Sequence, residues 1–170
     1  MPTLVITGAN RGIGLEFVRQ FAADGWTVHA GCRHPENATA LNAIAGDVKV
    51  HRVDVTSAGD LADFAAAVPG PVKLLIANAG VMGPQRDAQS FGSLDFEAWA
   101  DTFRVNTMGP LRTAEAFLPA VEKADGGKIV AITSKMGSIG DSSSGAIIYR
   151  TTKCALNMAM NMVAAALEAA

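Results

Sequence analysis

Apolar positions along the chain fall into two patterns that take turns. Short runs with few polar residues, Thr3-Leu4-Val5-Ile6, Val72-Lys73-Leu74-Leu75-Ile76-Ala77 and Lys128-Ile129-Val130-Ala131-Ile132-Thr133, predict buried strands. Trp26-Thr27-Val28-His29-Ala30-Gly31 and the alternating Val48-Lys49-Val50-His51-Arg52-Val53 predict two more. Between the runs, apolar residues recur at helical spacing. Leu15, Val18 and Ala22, with Phe17 and Phe21 beside them, predict a helix to Ala23 that Asp24-Gly25 ends. Pro35 opens an alanine-rich helix to about Ala45. Ser57 caps another from about Ala58 to Val68, which Pro69-Gly70-Pro71 stops. A long helical stretch from about Asp95 to Glu122 bends at Gly109-Pro110, and a last helix starts at Ile147 and continues to the end. Two polar loops, Asn78 to about Leu94 and Ser134 to Gly145, are long enough to suggest more than connection.

Five strands alternating with helices predict an α/β fold: a doubly wound, Rossmann-like parallel sheet with helices on both faces. Ligands of such a sheet bind outside the carboxyl ends of its strands. Thr7, Cys32-Arg33, Asp54-Val55, Asn78-Ala79-Gly80 and Ser134 each follow a strand, so the fold is expected to gather them along one rim.

Composition narrows the setting. The 170 residues, 49% hydrophobic, fit one domain with a real core. Net charge is −2 with scattered basic residues, which gives no footprint for nucleic acid or an anionic membrane. The most apolar late stretch, Cys154 to Leu167, is interrupted by Asn157 and Asn161 and is too short to span a bilayer. With no visible export or anchoring signal, a soluble, cytoplasmic chain is expected. Cys32 and Cys154 lie far apart and outside metal-ligand spacing, which fits free thiols in a reducing compartment. His29, His34 and His51 also lack ligand spacing and are read as structural or solvated, so no metal is expected.

Two constellations carry chemistry. Thr7-Gly8-Ala9-Asn10-Arg11-Gly12-Ile13-Gly14 joins a strand directly to a helix. Glycines admit positive φ and close approach of a ligand, and a helix start offers unpaired N–H groups, so the turn suits a pyrophosphate. The same spacing also serves a tight turn that binds nothing. Tyr149 and Lys153, four apart on one helix face, set a phenol beside an ammonium, which favours phenolate and suits a general acid and its tuner. That pair also arises by chance in helices.

Taken together, the motifs resemble the short-chain dehydrogenase/reductase family from the glycine turn through Lys153. They are T-G-x-x-x-G-x-G at Thr7 to Gly14, Asp54-Val55, Asn78-Ala79-Gly80, Asn106, and the set Ser134, Tyr149 and Lys153. The resemblance implies that Tyr149 protonates a carbonyl oxygen, or deprotonates the alcohol in reverse, while Ser134 orients that oxygen. Lys153 would hold the nicotinamide ribose, and Asn106 a helix bend and a water leading from Lys153; Asn106 otherwise only satisfies a kink. Ser138 is the second candidate for the serine, and Ser142, Ser143 and Ser144 follow it. Gly8, Asn10, Arg11, Gly12, Ile13 and Gly14, then Arg33, Asp54, Val55, Asn78, Ala79 and Gly80, would hold the cofactor with Tyr149 and Lys153. Asp54 would accept from the adenine amino group and Asn78 steady the neighbouring strands.

Relatives that prefer NAD carry an acid after the second strand, where this chain has Cys32 and Arg33. Arg33, with Arg11 in the turn, suits the 2′-phosphate of NADP(H). Cys32-Arg33-His34-Pro35 resembles small carbonyl reductases, which implies a small-molecule carbonyl or alcohol substrate. The family normally continues past the helix of Lys153 with further strands and a substrate lid. The sequence stops about one long helix past Lys153, as a truncated or partly represented chain or as a shortened form that compensates by assembly, and an exposed edge at the fifth strand and a homo-oligomer are expected. A reductase is the first function expected, and a cofactor-binding or signalling module with little turnover the second.

Overall fold

The computed structural model describes residues 1–142 and 144–168. Its strands are β1 (Thr3–Thr7), β2 (Thr27–Cys32), β3 (Val48–Arg52), β4 (Leu74–Ala77) and β5 (Lys128–Ala131). All four pairings are parallel, in the order β3-β2-β1-β4-β5. The helices are α1 (Gly12–Ala23), α2 (Thr39–Asn42), α3 (Ala58–Ala66), α4 (Phe96–Phe103), α5 (Gly109–Glu122) and α6 (Ile147–Glu168). By packing the chain divides into two compact units, Met1–Ala79 with Arg112–Ile132, and Gly80–Leu111 with Thr133–Ala170.

The first unit contains the sheet. Alternation along β1 sends Leu4 and Ile6 into a cluster with Val28, Ala30 and Ile76 that Val18 and Ala22 of α1 and Leu41 of α2 cover. Val5 lies in register with His29 and Leu75 on the opposite face. There His29 stacks on His51, His51 meets Phe64 of α3, and Phe64 meets Phe117 of α5 edge-on at 5.1 Å. Helices therefore cover both faces, as the strand pattern predicts. Gly31 makes room for this stack, since a Cβ there would stand 3.1 Å from Phe64 and Val53. β5 is an edge strand with Lys128 and Val130 exposed.

Three expectations change. The helix expected from Pro35 to Ala45 is a 3-10 turn at Pro35–Asn37 and the single turn of α2. Only Ala38 and Leu41 are buried there, so no apolar stripe sustains a longer helix. The long helix is interrupted by a π-helical turn at Arg104–Met108, ahead of the expected bend. Pro110 stands in the first turn of α5, directly after that π-helical turn. The histidines are not all scattered: His29 Nδ1 lies 3.0 Å from His51 Nε2, because parallel pairing puts Gly31 opposite His51.

The second unit is built around α6. It packs on the π-helical turn, on α4 and on a 3-10 turn at Lys135–Gly137. Only Ile148, Thr152, Lys153 and Leu156 of α6 are buried. No described helix is long and apolar enough to cross a membrane.

Candidate functional site

In the first unit the glycine turn is shaped by close approach. Gly8 has φ +67°, and a Cβ on it would lie 2.7 Å from Ala79 Cα. A Cβ on Gly14 would collide with the carbonyl oxygen of Gly8 and reach 2.5 Å from Asn78 Nδ2. Asn78 Nδ2 donates to the carbonyls of Thr7 and Gly8 at 3.0 Å each, and Ala79 N donates to Thr7 Oγ1 at 3.3 Å. These bonds join the carboxyl ends of β1 and β4. Gly12, at φ +57°, faces open space.

The helix start beside it is bare. Ser57 caps α3 by accepting from Asp60 N, and Asp95 caps α4 by accepting from Ala98 N. Arg11, the residue before α1, supplies no side-chain cap. Uncapped first-turn N–H groups next to a glycine without neighbours fit a phosphate-bearing cofactor. Asn10, Arg11 and Ile13 are exposed on this turn. Arg33 is exposed at the end of β2 and makes no ion pair among the described residues. Cys32 beside it is buried, which pushes its thiol pKa up. Asp54 uses one carboxylate oxygen, Oδ1, to accept from Thr56 N at 2.9 Å and Thr56 Oγ1 at 2.7 Å, and Val55 is buried. Glu36, three residues past Arg33, is exposed and 3.3 Å from His34 Nδ1.

Asn106, Ser134, Tyr149, Lys153 and Gly80 all belong to the second unit. Asn106 is fully buried in the π-helical turn. Its Oδ1 accepts from Val81 N at 2.8 Å, and its Nδ2 donates to Val81 O at 2.8 Å and Thr152 Oγ1 at 3.0 Å. A wider helical turn gives this side chain room to reach two segments at once. Thr107 Oγ1 donates to the carbonyl of Thr152 at 2.9 Å. These bonds hold α6 at the residue before Lys153. Lys153 is buried, and desolvation lowers its pKa.

Ser134 caps the Lys135–Gly137 turn, its Oγ accepting from Met136 N at 3.1 Å. The turn abuts α6 so closely that a Cβ on Gly137 would stand 2.9 Å from the carbonyl carbon of Lys153, and Asn157 Nδ2 donates to Gly137 O at 3.3 Å. Ser134 is half-buried, whereas Ser138 is exposed and accepts from Asp141 N. Ser142 and Ser144 are exposed, and Ser143 lies outside the described residues.

Sequence reasoning missed Gln89. It is 3% exposed, donates to the carbonyls of Met82 and Pro84 at 3.0 and 2.7 Å, and accepts from Tyr149 N at 3.0 Å. It thereby fixes the loop after Val81 to the first turn of α6. A glutamine among the polar residues of that loop carries no signal of burial. No cluster of three or more His, Cys, Asp or Glu among the described residues could hold a metal. Cys32 and Cys154 are free thiols.

Comparison with known proteins adds a family and relatives. The short chain dehydrogenase family matches residues 2–170. The chain is 37% identical over 162 residues to a 1-hydroxy-2-glutathionyl-2-methyl-3-butene dehydrogenase of Rhodococcus sp. (strain AD45), covering 93% of this chain and 68% of that protein. It is 41% identical over 92 residues to C-signal of Myxococcus xanthus, covering 54% of each. A carbonyl reductase from Pseudomonas aeruginosa PAO1 in complex with NADP superposes with TM-score 0.88 at 28% identity, over 97% of this chain and 73% of that one. The chain spans about two thirds of the length of curated relatives that it matches nearly end to end, 63% in an oxidoreductase of Schizosaccharomyces pombe and 68% in the Rhodococcus protein.

Proposed function

The chain belongs to the short-chain dehydrogenases, and from that premise we propose that it is an NADP(H)-dependent oxidoreductase that reduces a small ketone or aldehyde, or oxidises the corresponding alcohol. The observation that carries this reading is the second unit's buried network, which fixes the helix of Tyr149 and Lys153 through Asn106, Thr107 and Gln89. A side chain that must give a proton in one direction gains from such fixing.

In this reading the bare start of α1, Gly12 and Asn78 hold the cofactor pyrophosphate region, with Gly8 and Gly14 keeping the turn closed. Arg33 and Arg11 take the 2′-phosphate, supported by their exposure and by the complexes with NADP among solved relatives. NADPH held there would supply hydride to the carbonyl carbon. The Tyr149 hydroxyl gives its proton to the carbonyl oxygen, and Ser134 donates a hydrogen bond to the same oxygen. Lys153 binds ribose hydroxyls, and its positive charge favours the tyrosinate left behind. Asn106 is a positioning residue whose own bonds go to Val81 and Thr152. The exposed Met158 and Met162 of α6 support a homo-oligomer, which light scattering tests; a monomer at all concentrations removes that part. Free thiols support a cytoplasmic setting.

The test is NADPH oxidation against a panel of ketones, aldehydes and quinones, with NADPH binding followed separately. Tyr149→Phe is expected to lower turnover by about 10²- to 10⁴-fold and leave NADPH binding intact. Undiminished turnover in that variant overturns the assignment. Arg33→Ala is expected to weaken NADPH by about tenfold or more and leave NADH nearly unchanged. Tight NADPH binding with no turnover by the unaltered chain would favour the second reading, a cofactor-binding or signalling module, which the likeness to C-signal supports.

A further inference from the structure

In the first unit the turn between β3 and α3 is tied more firmly than its helix requires. Ser57 Oγ accepts from Asp60 N at 3.1 Å and donates to Asp60 Oδ1 at 3.0 Å, which caps α3. Asp60 Oδ2 accepts from Asp54 N at 3.0 Å, and Ser57 N donates to the carbonyl of Asp54 at 3.0 Å. Thr56 N and Thr56 Oγ1 occupy Asp54 Oδ1, while Asp54 Oδ2 has no partner among the described residues. The carboxylate is thus gripped at one oxygen and open at the other. A further bond comes from across the unit: Arg112 of α5 donates from Nη1 to the carbonyl of Thr56 at 2.6 Å. α3 and α5 lie side by side, with Phe64 edge-on to Phe117, and this brings Arg112 within reach of the start of α3.

We propose that Arg112 is a positioning residue for adenine recognition, holding Thr56 so that the open oxygen of Asp54 is presented to the adenine amino group of the dinucleotide. This rests on the NADP(H) reading, in which Asp54 accepts from that amino group. The Thr56 carbonyl lies outside α3, whose first turn Ser57 and Asp60 already cap, so the Arg112 bond is no part of that cap. Thr56 is also the residue whose N–H and hydroxyl grip Asp54, and fixing its carbonyl fixes both grips. Arg112 is half-buried and makes no ion pair among the described residues, so its charge is spent on a carbonyl, where a charged donor bonds more strongly than a neutral one. Arg52 is the contrast: its side chain is 72% exposed and stands 3.5 Å from Asp60 Oδ2, a surface pair of small worth. A carboxylate held in place beforehand spares the bound nucleotide the entropy of ordering it.

Fluorescence titration of the 170-residue chain with NADPH and with its hypoxanthine analogue, in which a carbonyl oxygen replaces the adenine amino group, tests this. The unaltered chain is expected to bind NADPH about tenfold or more tighter than the analogue, because the amino group bonds a charged acceptor. Arg112→Met removes the donor and keeps most of the apolar stem. It is expected to cut the preference to about threefold or less by weakening NADPH, with the analogue bound within about twofold of its original affinity. Retained binding of the analogue also shows that the variant is folded. Arg52→Ala should leave the preference within about twofold of the original. Equal binding of the two nucleotides by the unaltered chain, or binding of neither, overturns the reading of Asp54 and the cofactor together with the proposal. A preference that persists in Arg112→Met, equal weakening of both nucleotides, a variant too unstable to bind either, or as large a loss in Arg52→Ala overturns the role of Arg112 alone and leaves the cofactor reading standing.

Discussion

The two units position polar groups by opposite means. In residues 1–79 and 112–132, candidate binding groups are backbone N–H groups and carbonyls, set in place by glycines that let β1, α1 and β4 approach closely over an apolar core. In residues 80–111 and 133–170, candidate groups are side chains, set in place by buried Asn106, Thr107, Gln89 and Thr152 that spend their hydrogen bonds on backbone and on each other. Steric fit tolerates no added atom, whereas a polar network tolerates no lost partner. The chain's two tryptophans allow each unit to be read alone: Trp26 stacks edge-on against Phe21 in the first, and Trp99 lies by Phe96 in the second. Single-tryptophan variants therefore report the two separately.

The largest effect is expected from Asn106→Ala, which strips partners from Val81 N–H, Val81 C=O and the Thr152 hydroxyl. A loss of about 3 kcal/mol follows, seen in the denaturant midpoint reported by Trp99. A shift below about 1 kcal/mol would mean that the network is not what holds α6. Gly14→Ala comes next. Its Cβ collides with Gly8 and Asn78, so about 2–3 kcal/mol is expected to disappear from the Trp26 transition, together with NADPH binding. Unaltered cofactor binding there would undo the contrast from the other side.

The third effect is a pH dependence confined to the first unit. Burial first, then His51 and Lys49, lower the His29 pKa to about 4, with Asp47 opposing. An unfolded imidazole takes up a proton below about pH 6.5, while the buried one stays neutral. Stability is thus full above pH 6.5 and falls as pH drops toward 4, by about 2 kcal/mol. Trp26 should follow that fall and His29→Leu should flatten it. A Trp99 transition with the same His29-dependent slope would deny the separation. Smallest is Ser57→Ala, about 1 kcal/mol, from loss of the α3 cap to Asp60 N.

The contrast between units also explains what could be read in advance. Sheet strands were legible because burial on both faces leaves nearly unbroken apolar runs, as in Leu4-Val5-Ile6. The glycine turn was legible because a backbone requirement selects a residue type directly. Asn106 stood out only by resemblance, since its partners Val81 and Thr152 are 25 and 46 residues away. The π-helical turn was hidden for the same reason. The His29–His51 contact depends on a pairing register that joins residues 22 apart, which no local pattern encodes. Gln89 was invisible because only the folded loop tells a buried glutamine from a solvated one.

The sheet order has a consequence for synthesis. β1 is flanked by β2, whose paired residues begin at Thr27, and by β4, whose paired residues begin at Leu74. At roughly 5–20 residues per second, several seconds separate the emergence of Leu4-Val5-Ile6 from that of its second neighbour. During that interval the ribosome-bound chain displays an apolar strand with one bare edge, the kind of segment that templates aggregation. Polar replacement cannot cure this, because the same three side chains end up fully buried. The yield of folded chain should therefore depend on elongation rate and on chaperones that shield a nascent strand, more than on the stability of the finished sheet.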